Sequence, residues 1–172
     1  MKYFHVSCKL QTSMKTKLYL AMLAVAAVSF VLLRPTLFVF VGAENIYCAP
    51  AADGTKIVVN FIHSVQKTPV EECLAVESSG FRLMYSRYQS FGVGLPFLAS
   101  EGSFRQDGDF FVMDNMNRFY QNLEFRVGLG TKLTLSVGDV KLNLYERFPV
   151  GTKVDVVVAP FYEKYSRRLA AK

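Results

Sequence analysis

Over most of the chain apolar residues recur at every second position. Leu133, Leu135 and Val137 alternate with Thr134 and Ser136, and Val140, Leu142 and Leu144 with Lys141, Asn143 and Tyr145. Val154, Val156 and Val158 flank Asp155, Leu123, Phe125 and Val127 flank Glu124 and Arg126, and Phe81, Leu83 and Tyr85 enclose Arg82 and Met84. A period of two marks strands with one buried face. Asp53-Gly54, Ser79-Gly80, Asp107-Gly108 and Gly138-Asp139 lie between such runs and supply the positive φ that tight hairpins need. After Pro35 no stretch carries a convincing helical period. The expectation is an all-β fold, a single antiparallel β-sandwich or partly closed β-barrel.

Residues 18–33, LYLAMLAVAAVSFVLL, stand outside this regime, with no charge at all. As a helix they would span about 24 Å, short of a hydrocarbon layer of about 30 Å, a gap that snorkelling of Lys17 and Arg34 can close. Pro35 then stops the helix, and Leu37-Phe38-Val39-Phe40-Val41 resembles a first strand. The chain therefore divides into a basic cytoplasmic N-terminus (1–17), a transmembrane signal-anchor helix (18–34), an extracytoplasmic β domain (35–162) and a charged tail (163–172). Cleavage of a signal peptide after Val41-Gly42-Ala43 stays open as the alternative, although it would remove the first strand.

Charge supports this division. The net charge of +6 over 172 residues comes from the ends: Lys2, Lys9, Lys15 and Lys17 before the apolar segment, Arg34 after it, and Lys164, Arg167, Arg168 and Lys172 in the tail. Residues 35–162 hold 11 basic and 13 acidic residues, a formal charge of −2, so the body is no nucleic-acid binder. The four leading lysines place the N-terminus in the cytoplasm and the β domain outside. In an oxidising space Cys48 and Cys73 could form a disulfide; the alternative is two buried free thiols.

Three stretches interrupt the alternation. In the first, FIHSVQKTPVEE over residues 61–72, the register puts His63 on the face of Ile57, Val59 and Phe61, partly buried at a strand end. There it is either a general base or binding donor, or, as preferred, a core histidine satisfied by a backbone carbonyl or a nearby carboxylate. Lys67-Thr68-Pro69 reads as a corner, after which Glu71 and Glu72 point to opposite faces. The inward one needs a partner such as His63, Arg87 or Arg118. The second stretch, QSFGVGLPF over residues 89–97, reads as a close-packed loop or a cleft wall; Phe97 stands where a dinucleotide fingerprint would have its third glycine. The third, MDNMNR over residues 113–118, offers Arg118 to a ligand carboxylate or to Glu71 or Glu72. With only His5 and His63 in the chain, no histidine-cluster metal site, no cofactor motif and no serine-nucleophile elbow, nothing requires catalysis, and the protein reads as a non-enzyme.

The blocks FIHSV, KTPVEE, QSFGVGLP and MNR, in this order and spacing over about residues 36–158, resemble the signature blocks of DUF1850, an uncharacterised bacterial family. The resemblance implies small proteins with one N-terminal hydrophobic segment, in the bacterial cytoplasmic membrane with the β domain periplasmic or extracellular. It also implies genes beside TRAP-type transporters whose solute-binding proteins are of the TAXI class. Partners implied are the transporter permease or that solute-binding protein. By the same analogy the binding candidates are His63, Ser64, Glu72, Gly92, Gly94, Pro96, Asn117 and Arg118. The alternatives are a domain that binds a small anionic solute through Arg118 and His63, and an extracytoplasmic hydrolase built on His63.

Overall fold

The alternating segments become strands of two antiparallel sheets. The computed structural model describes residues 14–91, 95, 96, 98 and 100–164, Asn117 through its backbone alone. An apolar helix α1 (Met14–Leu33) leads into β1 (Pro35–Val41), β2 (Glu44–Pro50), β3 (Lys56–Ile62), β4 (Pro69–Glu77), β5 (Gly80–Tyr88), β6 (Ser103–Asp107) and β7 (Phe110–Tyr120). β8 (Leu123–Arg126), β9 (Thr134–Val137), β10 (Val140–Asn143), a single helical turn α2 (Leu144–Arg147) and β11 (Lys153–Pro160) follow. One sheet has the order β2-β1-β11-β8 and the other β10-β9-β3-β4-β5-β7-β6. They are two separate sheets face to face, so the fold is sandwich-like and the partly closed barrel is set aside.

Between the sheets lies one core. Leu37 and Val39 of β1 with Val154, Val156 and Val158 of β11 meet Ile57 and Val59 of β3, Leu74 and Val76 of β4, and Phe81 and Leu83 of β5. β1 is also buried on its other face, where Phe38 and Phe40 pack with Val157, Cys48, Ala159 and Phe161. That double burial explains why its sequence runs apolar without alternating.

α1 starts four residues before the charge-free segment, and its 20 residues give about 30 Å, removing the expected shortfall in length. Every residue of it is exposed, and it is long and apolar enough to cross a membrane, a character that signal sequences share. It joins the sheet without a linker. Tyr162 N donates to Leu32 O at 3.1 Å, Phe161 N donates to Arg34 O at 3.1 Å, and the Arg34 guanidinium lies 5.1 Å from the Phe161 ring centre.

Three local readings change. Residues 144–147 form a helical turn rather than continuing a strand; Leu144 stays wholly buried while Asn143 Nδ2 donates to Glu146 Oε2 at 2.9 Å. At the β4–β5 turn positive φ falls on Ser78 (+56°), whereas Gly80 is needed for space, because a Cβ there would collide with the Phe119 ring and the Tyr120 carbonyl. Finally, Tyr85 does not share a face with Phe81 and Leu83. Leu74 pairs with Leu83 but Cys73 pairs with Tyr85, so Met84 is an extra residue that reverses the alternation. Beyond this bulge Ser86 and Tyr88 turn inward. β7 answers it with its own irregularity at residues 115–117, where Asn115 takes φ +54°, and both Met113 and Met116 reach the core. The irregular stretch at residues 113–118 is this bulge.

Candidate functional site

β4 places the site. Val70, Glu72, Leu74 and Val76 alternate onto the inner face of the large sheet, while Glu71 and Cys73 point outward. Glu71 is satisfied there, accepting from Tyr85 Oη at 2.8 Å. Burial and the bond to Glu71 push the Tyr85 phenol upward, and burial raises the Cys73 thiol.

Glu72 has the opposite situation. It faces Val59 on one neighbouring strand and Ser86 on the other, between the main core and a smaller cluster of Val70, Tyr88 and Leu95. Burial pushes its carboxyl above the ordinary glutamate range, and the nearby Arg118 guanidinium pulls partly the other way. Opposite it the Ser86 hydroxyl is fully buried and has no hydrogen-bond partner.

Three small clefts lie around this position beside β8, the four-residue edge strand of the smaller sheet, and two of them are walled by Glu72. The largest, about 240 Å³, is lined by Phe61, Ile62, His63, Ser64, Glu72, Leu95 and Thr131. A second, about 180 Å³, has Glu72, Leu74, Tyr120, Asn122, Leu123, Glu124 and Phe125. A third, about 170 Å³, lies between Phe61, Phe125, Arg126, Thr131 and Leu133. Glu72 is common to the first and second, Phe61 and Thr131 to the first and third, and Phe125 to the second and third.

His63 is buried on the predicted face. Its Nδ1 accepts from the backbone N–H of Val65 (3.2 Å) and of Gln66 (3.1 Å). The His63 backbone N–H donates to Thr68 O at 2.9 Å, and its carbonyl accepts from Lys67 N at 2.9 Å. The ring thus holds the β3–β4 hairpin as an Asx side chain would, and an accepting Nδ1 puts the neutral ring's proton on Nε2. Lys67, at φ +57°, is the corner read from the sequence.

Arg118 pairs with Glu101, not with Glu71 or Glu72. Glu101 was not legible as its partner because it lies in an irregular loop, where no register relates it to β7. The loop is close-packed where described: Leu95 is buried and the Pro96 carbonyl accepts from Tyr88 Oη. Gly92 and Gly94 lie outside the described residues, as does the Asn117 side chain. The structure therefore brings His63, Ser64 and Glu72 to one cleft with Pro96 beside it, and sets Arg118 within electrostatic reach. Cys48 and Cys73 are free thiols, on the outer faces of different sheets, so the possible disulfide is not formed. No group of histidine, cysteine or acidic residues able to hold a metal occurs among the described residues.

The family model described as "Domain of unknown function (DUF1850)" matches residues 57–144, half of the chain. This chain belongs to the DUF1850 family. The match is narrower than the expected 36–158 and runs from β3 to the start of α2, so DUF1850 here means the large sheet with β8. It contains every candidate binding residue, and leaves α1, β1, β2 and β11 outside. No curated protein and no solved structure matches the chain significantly.

Proposed function

We propose that this DUF1850 protein is a single-pass membrane protein whose α1 anchors the β domain on the outer side of a bacterial cytoplasmic membrane, where it acts as a non-catalytic binding module for a TRAP-type transporter. The partner is the permease or its TAXI-class solute-binding protein, as the genomic neighbourhood implied by the family resemblance suggests. One observation carries the reading. β1 leaves the helix at Pro35 and pairs antiparallel with β11 through Val41↔Val154. Ala51 N bonds back to Pro35 O, so β3 also starts at the helix end and delivers the His63 hairpin to the opposite end. The hairpin and its cleft are thus presented away from the helix, toward what lies beyond the membrane surface.

The anionic-solute alternative has less support, because Arg118 is engaged by Glu101 and His63 Nδ1 by two backbone amides. The same engagement speaks against His63 as a hydrolytic base through Nδ1. Cross-linking in intact cells followed by capture through a tag after Lys172 tests the proposal. A transporter component recovered with the native chain and lost on Ser64→Arg, which blocks the cleft mouth from an exposed turn, is the expected result. Repeated recovery of the bait alone overturns it.

A further inference from the structure

We infer that the groove around Glu72 is a binding site for a small organic ammonium group, held by the Glu72 carboxylate in the clefts it walls, against the Phe61 ring of the larger or the Phe125 ring of the smaller. The inference deepens the binding-module reading by naming the chemistry its cleft would take.

Charge balance is the first argument. Among the described residues around the groove, Arg118 pairs directly with Glu101, and Glu124 with Arg126 and Lys153, whereas the inward-facing Glu72 has no direct ion pair and only the field of Arg118 nearby. The Glu72 side chain, without an ion pair or hydrogen bond of its own among these residues, forms the common wall of two clefts. A partly buried carboxylate in that position is neutralised by a proton or by a cation. Burial raises its proton affinity, so a proton and a cation compete for the same carboxylate.

Shape and lining are the second argument. Each cleft walled by Glu72 combines the carboxylate with an aromatic ring and aliphatic side chains, Phe61 and Leu95 in the larger and Phe125, Leu74 and Leu123 in the smaller. Rings beside a carboxylate are suited to an ammonium carrying a short alkyl chain, which gains a cation–π contact and apolar burial together. Cavities of about 240 and 180 Å³ are smaller than the roughly 300–1,000 Å³ of drug-sized sites, which restricts the ligand to a small head and a few carbons. Ser86 adds a third observation: its buried hydroxyl, unpartnered, sits directly across the strand pair from Glu72 on the same face.

The test uses the full chain in lipid nanodiscs with methyl-labelled Leu, Ile and Val, titrated with n-butylammonium chloride. Saturable shifts at Leu74, Leu95 and Leu133 are expected, with affinity at least tenfold weaker in Glu72→Gln and several-fold weaker in Glu101→Gln, where Arg118 is released to neutralise Glu72. Affinity should fall in the native protein as pH is lowered through the Glu72 titration. His63, Arg118, Tyr120, Glu124 and Arg126 also face the groove, but they are intact in Glu72→Gln, so the loss of slope in that variant isolates Glu72. Nα-acetyl-lysine methylamide is the second probe. Binding equal to the free amine identifies a lysine side chain of a protein partner as the source, and binding of the free amine alone a small solute. Absence of saturation with both, undiminished binding in Glu72→Gln, or equal binding of n-butanol overturns the inference. Capture of a transporter component without ammonium binding would sink this inference and leave the binding-module proposal standing.

Discussion

Toward the helix end, the inner face of β3, β4 and β5 is covered by a second sheet, and Ile57, Leu74, Val76, Phe81 and Leu83 are each at most 2 % exposed. Toward the other end the same face is covered by a loop. There Val70 and Tyr88 meet Leu95, and a polar row of Glu72 and Ser86 separates this small cluster from the main core. The two halves share strands and register but differ in their cover. A sheet supplies close packing along its whole length, whereas a loop and a four-residue edge strand leave clefts. Chemistry that the closed half excludes is therefore tolerated in the open half.

Core truncation gives the largest contrast. Phe81→Ala should cost about 3–5 kcal/mol, because the rigid sandwich cannot collapse around the lost ring. Leu95→Ala should cost less, about 2 kcal/mol, since the loop above Tyr88 can settle into the space. Urea unfolding of the full chain in detergent micelles measures both. Equal losses would show that the loop-covered half is as tightly closed as the sandwich.

His63 holds the open half from its tip. His63→Ala removes the acceptor of two backbone amides and should cost about 1–3 kcal/mol, at roughly 0.5–1.5 kcal/mol for each bond. His63→Asn should recover part of that loss, because an amide oxygen can accept in the manner of an Asx turn. If Asn is no better than Ala, the ring is present for packing or for ligand contact, and its hairpin bonds are incidental.

Glu72 makes the two halves respond differently to pH. Its folded pKa is raised, chiefly by burial, so the folded state holds the proton more tightly than the unfolded chain does. The resulting contribution to stability is fully present below the unfolded value of about 4.5 and is lost as pH rises through the folded value. Thermal unfolding of the native chain should therefore weaken across that window relative to Glu72→Gln, which lacks the titration. Parallel curves for the two proteins would mean that the carboxyl is hydrated well enough to be indifferent.

Much of this architecture was legible before any coordinates. Alternation located β8, β9, β10 and β11, and placed His63 on the face of Ile57 and Val59, because period two follows directly from the pleat. It failed at Met84, where one inserted residue sent Tyr85 outward and Ser86 inward; a bulge leaves no mark in a hydropathy pattern that stays apolar on both sides of it. The pairing of Arg118 with Glu101 and the separation of Cys48 from Cys73 depend on which loop and which sheet each residue joins. Spacing along the chain does not encode either. That one carboxylate of the Glu71–Glu72 pair turns inward was legible, but not that it is Glu72, nor the clefts it walls, since both depend on how the strands and the opposite sheet come together.

The smallest expected effect on stability carries the most information about the open half. The Arg118–Glu101 pair is partly exposed, with side chains 38 % and 21 % accessible, so Arg118→Ala should change unfolding stability by no more than about 1 kcal/mol. The same substitution removes the one nearby charge that lowers the Glu72 pKa and leaves burial unopposed, so Glu72 should titrate at higher pH than in the native chain. Carboxyl carbon shifts in the glutamate-labelled protein report that titration directly. An upward shift with near-native stability would establish that Arg118 tunes the groove rather than holding the fold. A large loss of stability would instead make the Arg118–Glu101 pair part of what closes the loop over Tyr88, and the open half would then depend on electrostatics as the closed half depends on packing.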